Sequence, residues 1–79
     1  MNEWNLLREK KPKDTKVVFV AFRGKYGRSV DLCMYTPSYI AEWCREDEGQ
    51  WKGMSSTECE SAWAWTESTP KYPAELEES

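Results

Sequence analysis

The chain has 79 residues, a formal net charge of −3, 39% hydrophobic and 32% charged residues, and no histidine. That length makes one small domain, 1–79, of marginal stability, the kind that usually leans on disulfides, a metal or a partner chain. Without histidine the commonest general base and the commonest metal ligand are missing, which removes the usual catalytic triads and dyads.

Charge is segregated along the chain. Residues 1–30 hold eight Lys or Arg against three acids, and residues 31–79 hold three against eleven. Such charges are often merely solvated. If folding gathers the acids onto one face, that face attracts a basic partner and repels nucleic acid. The cysteines are Cys33, Cys44 and Cys59. An odd count at wide spacing fits neither a disulfide framework nor a zinc signature, and free thiols suit a reducing, cytoplasmic compartment. The first residues carry no apolar leader, and no apolar run approaches the roughly 20 residues that span a bilayer. No cofactor, metal or membrane is expected.

Residues 1–13 read as a lead-in. Trp4, Leu6 and Leu7 anchor it, Trp4 folds back to cap one end of the core, and Pro12 favours extended backbone before it. Lys16 to Tyr35, KVVFVAFRGKYGRSVDLCMY, is the organising stretch. Val17 to Phe22 is a run of β-branched, aromatic and small residues too short for a helix, hence a buried strand. In Ser29 to Tyr35, Val30, Leu32 and Met34 alternate with Ser29, Asp31, Cys33 and Tyr35, so one set packs and the other meets solvent or a second layer. Gly24 and Gly27 in the intervening loop supply the positive φ values of a hairpin turn.

Thr36 to Arg45 reads as a short helix, with Thr36 as N-cap, Pro37 at the first position, and Tyr39, Ile40, Trp43 and Cys44 on one face; a strand or loop is the alternative. Glu46-Asp47-Glu48-Gly49 is a turn. Gln50 to Met54 is a third strand, Ser55 to Glu58 a polar connection, and Cys59 to Thr66 a fourth strand. There Trp63 and Trp65 share one face, and Ala62 and Ala64 the other, where small residues admit another element. Residues 68–73 leave the sheet extended, and 74–79 form an acidic flexible tail. The expected fold is mainly β, a small α+β domain: an antiparallel sheet of about four strands, open or partly closed into a barrel, with one short helix.

No active-site pattern emerges. Glu46, Asp47 and Glu48 sit in a turn, where carboxylates stay solvated, and Gly24 and Gly27 match no phosphate loop. Arg23, Lys25 and Arg28 with Tyr26 between them could hold single-stranded nucleic acid, but a charged hairpin tip that discourages edge aggregation is the simpler reading. Trp63 and Trp65 fit core better than a stacking platform.

The spacing of anchors resembles a family of very small phage and prophage proteins of unassigned function. The matching positions are Trp4 and Pro12, Val18 and Val20, Tyr35, Gly49-Gln50-Trp51, Ala64-Trp65, and Pro70 with Pro73. Typical members open with Trp-Ile-x-Val and a Leu-Pro and close with a His-Trp-Met-Pro-x-Pro-like segment. Lys11 replaces the usual Leu, Ala64 stands where His is frequent, and the stretch 36–48 is longer. The resemblance implies a phage or prophage setting and a small sheet closing on itself, and it supplies no catalytic residue.

These features point to a non-catalytic accessory protein that binds and inhibits a host protein in the bacterial cytoplasm. A defence nuclease complex, of the anti-CRISPR or anti-restriction type, with a basic nucleic-acid-binding groove is the expected target. The chain, a monomer or homodimer, would act as an acidic nucleic-acid mimic. The expected partner-binding residues are Glu42, Trp43, Glu46, Asp47, Glu48, Trp51, Glu58 and Glu60. The alternatives are an interaction module of the phage particle or its replication machinery, and a nucleic-acid binder acting through the hairpin tip.

Overall fold

A computed structural model describes residues 3–25, 27–37 and 42–77. It is an open antiparallel sheet of six strands with short helices. The strands are β1 (Asn5–Leu6), β2 (Lys16–Gly24), β3 (Gly27–Thr36), β4 (Glu42–Asp47), β5 (Gln50–Gly53) and β6 (Ala62–Thr66), in the spatial order β1-β6-β2-β3-β4-β5. Helix α1 (Ser56–Ser61) connects β5 to β6, and α2 (Ala74–Glu77) follows. The mainly β fold is thus as the sequence indicates, with more strands than four and without barrel closure.

The β2–β3 hairpin forms as expected and runs further than the apolar runs alone suggest, to a terminal Gly24–Gly27 pair. Gly27 takes φ +114°, which a β-carbon would resist. Gly24 is needed for a different reason: a β-carbon there would come within 2.6 Å of Ser61 Oγ at the end of α1.

The helix expected over 36–45 is a strand from Glu42 onward; Ser38, Tyr39, Ile40 and Ala41 lie outside the described residues. β4 pairs with the free edge of β3, opposing Tyr35 to Trp43 and Met34 to Cys44. That pairing satisfies backbone groups a helix would have left open on β3. Trp43 and Cys44 therefore face opposite ways, and Trp43 is buried with its ring 4.7 Å from that of Tyr35.

The helix of this fold is instead α1, where a polar connection and the start of a strand were expected. Its signal is a capping box: Ser55 Oγ accepts from Glu58 N–H, and the Glu58 carboxylate accepts from Ser55 N–H. The fourth strand expected from Cys59 accordingly starts at Ala62. The acidic tail begins as α2, while Glu78 and Ser79 lie outside the described residues.

One sheet face carries the core. Val18, Val20 and Phe22 of β2, Cys33 and Tyr35 of β3, Trp43 of β4 and Trp65 of β6 form a buried cluster, with Leu7, Met54, Cys59 and Ala62 packed against it. The lead-in is fastened across this face. Trp65 Nε1 donates to Lys10 O at 2.8 Å, Leu7 N donates to Trp63 O at 3.0 Å, and Pro12 is buried. Trp63 and Trp65 do not share the core. The register between β2 and β6 shifts between Ala21 and Phe22, so the two-residue rule fails at Trp63. Trp63 meets Tyr72 of the C-terminal segment edge-on at 6.0 Å. Ala64 is fully buried opposite Ala21, but Ala62 does not share its face: it lies opposite Phe22 and packs against the core. Trp4 is half-buried beside Tyr72 and Pro73, lining a shared groove.

Candidate binding surface

The alternation in β3, which leaves open which set packs, is assigned by the fold. Cys33 and Tyr35 are buried, with Asp31 half-buried and Ser29 exposed at the turn end, whereas Val30, Leu32 and Met34 are half-buried on the opposite face. Register extends that second face across the sheet. Val17 opposes Met34 and Phe19 opposes Leu32; Met34 opposes Cys44, and Trp51 opposes Glu46. Val17 is 47% and Trp51 40% exposed, while Phe19 and Cys44 are half-buried. Among the described residues the face is closed towards β6, where Ala21, Ala64 and Thr66 are buried. There the two ends of the chain meet: Thr66 Oγ1 donates to Glu3 O at 2.9 Å and accepts from Ser68 N. Across β2, β3, β4 and β5 no helix among the described residues covers these apolar side chains, since α1 contacts β2 and β6 and its Cys59 packs on the core side.

The eight residues expected to bind a partner separate in space. Glu42 opens β4 opposite Thr36. Trp43 is core, its ring enclosed against Tyr35. Glu46 and Asp47 are successive in a strand and so point to opposite faces. Asp47 pairs with Lys52 at 3.0 Å on the core side, whereas Glu46 stands beside Trp51 on the open face. Glu48 and Gly49 form the two-residue β4–β5 turn, with φ +52° and +81°, the positive pair of a type I′ hairpin. Glu60 is exposed on α1. Glu58 is held by Arg45, which joins its carboxylate to that of Asp31 (Arg45 Nε to Asp31 Oδ2, 3.5 Å) and so pins α1 to the sheet. Lys16 likewise pairs with Glu67 at 2.8 Å. The acidic half is therefore partly neutralised by the chain's own cations and spread over several faces rather than one.

Chemistry on the core side is limited. Burial pushes the Cys33 thiol up to about 12, helped by Asp31 and opposed by Arg45, so it stays protonated and inert at neutral pH. A cavity of about 440 Å³ opens between α1 and the β2–β3 turn, lined by Phe22, Lys25, Ser29, Arg45, Thr57 and Ser61 among others, and the Arg45 charge there is met by Glu58 and Asp31. Among the described residues no group of three or more His, Cys, Asp or Glu is placed to hold a metal ion, and no helix is long and apolar enough to cross a membrane.

Sequence reasoning missed Val17, Phe19, Val30, Leu32 and Met34 as surface residues. The available signal was that β2 is apolar on both faces while one short helix can cover only one of them. Together the fold and this face define a small α+β domain with one closed and one open sheet face. No family model, curated protein or solved structure matched the chain.

Proposed function

We propose that the chain is a non-catalytic protein-binding module that docks its partner on the open face of the sheet. The observation that supports this is the set of apolar side chains from Val17 to Trp51, shared by four strands and left without a covering element among the described residues. Contiguous apolar surface of this kind marks interaction sites. A buried, protonated Cys33 gives no nucleophile to set against that reading.

A narrower form is that the partner is a host protein, inhibited by a phage or prophage accessory factor in the bacterial cytoplasm, with a defence nuclease complex as the target. The phage-family resemblance and the acids Glu46 and Glu48 at the β4–β5 hairpin support it; the ion pairs of Asp47 and Glu58 weaken its mimicry of a nucleic acid. A second reading, nucleic-acid binding at the hairpin tip, draws on Arg23 standing directly opposite Arg28 with Lys25 in the turn. Tyr26 of that tip lies outside the described residues.

The test compares proteins captured from bacterial lysate by the full chain, by Leu32→Asp and by Arg28→Glu, each shown folded by circular dichroism, with the captured protein then identified and rebound in purified form. A protein lost with Leu32→Asp and kept with Arg28→Glu supports the open face. Loss only with Arg28→Glu, together with bound nucleic acid, moves the function to the hairpin tip. Capture indifferent to both variants removes the reading.

A further inference from the structure

One acid of the open face stands within its apolar row. Asp31, Asp47, Glu58 and Glu67 each have a cation of this chain beside them. Glu46 has none among the described residues, and it is exposed. Its surroundings are apolar. Phe19 opposes Leu32, the Cys33–Arg45 pairing sets Glu46 level with Leu32, and Glu46 in turn opposes Trp51. The row across the sheet thus reads Phe19, Leu32, Glu46, Trp51: a carboxylate between an aliphatic and an indole side chain.

We propose that the occupant of this face is an amphipathic segment of another protein that presents a Lys or Arg among apolar side chains, the cation meeting Glu46 beside Trp51. This rests on the reading of the face as a protein-binding surface and names the chemistry of its partner. A wholly apolar partner would strip water from Glu46 and leave the carboxylate unpaired, a strongly unfavourable arrangement. A cation answers the charge, and the Trp51 ring adds cation–π attraction at the same spot.

A second copy of the chain fits less well. The cations that β2 and β3 place on this face, Arg23 and Arg28, oppose each other at the hairpin end. Arg23 is four residues along β2 from Phe19, about 14 Å at the rise of a strand. A copy that brought those arginines over Glu46 would slide its own apolar row off the other's. One that kept the rows together would bury Glu46 against apolar side chains.

The test selects a displayed library of random 16-residue peptides on the full chain, on Glu46→Lys and on Glu46→Gln. The expected binders of the native chain carry apolar residues flanking Lys or Arg. Glu46→Lys should weaken them by at least about tenfold and select Asp or Glu in place of the cation. Glu46→Gln should abolish the preference for a cation without inverting it, and high salt should weaken the native complex most. Apolar binders with no cation preference, or affinities unmoved by Glu46→Lys, overturn the inference while leaving the face a binding surface. A dimer in sedimentation velocity that Leu32→Asp dissociates overturns it in favour of a second copy. Failure to enrich any binder also overturns it, and the lysate comparison then decides separately whether the face binds protein at all.

Discussion

The two faces of the sheet are built from the same strands and end in different states. β2 contributes Val18, Val20 and Phe22 to one face and Val17 and Phe19 to the other. On the first, α1, the lead-in and the aromatic pair Tyr35–Trp43 close over the strand. On the second, the segments around Glu3 and Tyr72 reach β6, and among the described residues none reaches further. Burial here follows the supply of covering elements rather than the apolar character of each position. That is why Cys33 and Tyr35 are interior while Leu32 and Met34 are not.

The contrast is sharpest in the tryptophans. Replacing Trp65 or Trp43 by Ala should cost about 3–5 kcal/mol, because each empties part of a closed core. Trp51→Ala on the open face should cost about 1 kcal/mol or less. Denaturant titration of the three variants measures the difference, and equal losses would mean that the second face is also packed in solution.

A smaller effect concerns what holds α1 on the closed face. Ser55→Ala removes the N-cap acceptor and should cost about 1 kcal/mol. Glu58→Ala should cost more, since it removes both the reciprocal capping bond and the partner of Arg45. The excess should stay within about 1 kcal/mol, because that ion pair is more than a third exposed and screened by solvent. If Glu58→Ala is the milder variant, Arg45 does not tie the helix down.

The smallest effect near neutral pH belongs to the cysteines. Cys33, enclosed, should react with a thiol reagent only on unfolding, well after Cys44 on the open face. Its raised value means that the folded state holds the proton while the unfolded chain releases it. The contribution of Cys33 to stability is therefore intact below about 9 and declines between about 9 and about 12. The alkaline loss should be shallower in Cys33→Ala, read as the difference between the two proteins' pH–stability curves. Parallel curves would place Cys33 in contact with water.

The β2–β3 hairpin, the positive φ of Gly27, the β4–β5 turn at Glu48-Gly49 and the overall β character were legible in the residues themselves. Each rests on local chemistry: β-branched runs, alternation and the residues that tolerate positive φ. The capping box at Ser55 and Glu58 was legible too, as a Ser followed three residues later by Glu, and it marks α1. Of the expected binding residues, Glu46, Asp47, Glu48, Trp51 and Glu60 are exposed, Glu46 and Asp47 in β4 rather than in the expected turn. Which side of each strand is interior came from tertiary packing. Alternation gives a strand two faces but not their assignment, and a register shift at Trp63 changes the count. The strand β4 exists because β3 had an edge to pair. Whether a Trp becomes core, like Trp43, or surface, like Trp51, depends on which residue stands across from it and on whether another part of the chain arrives to cover it.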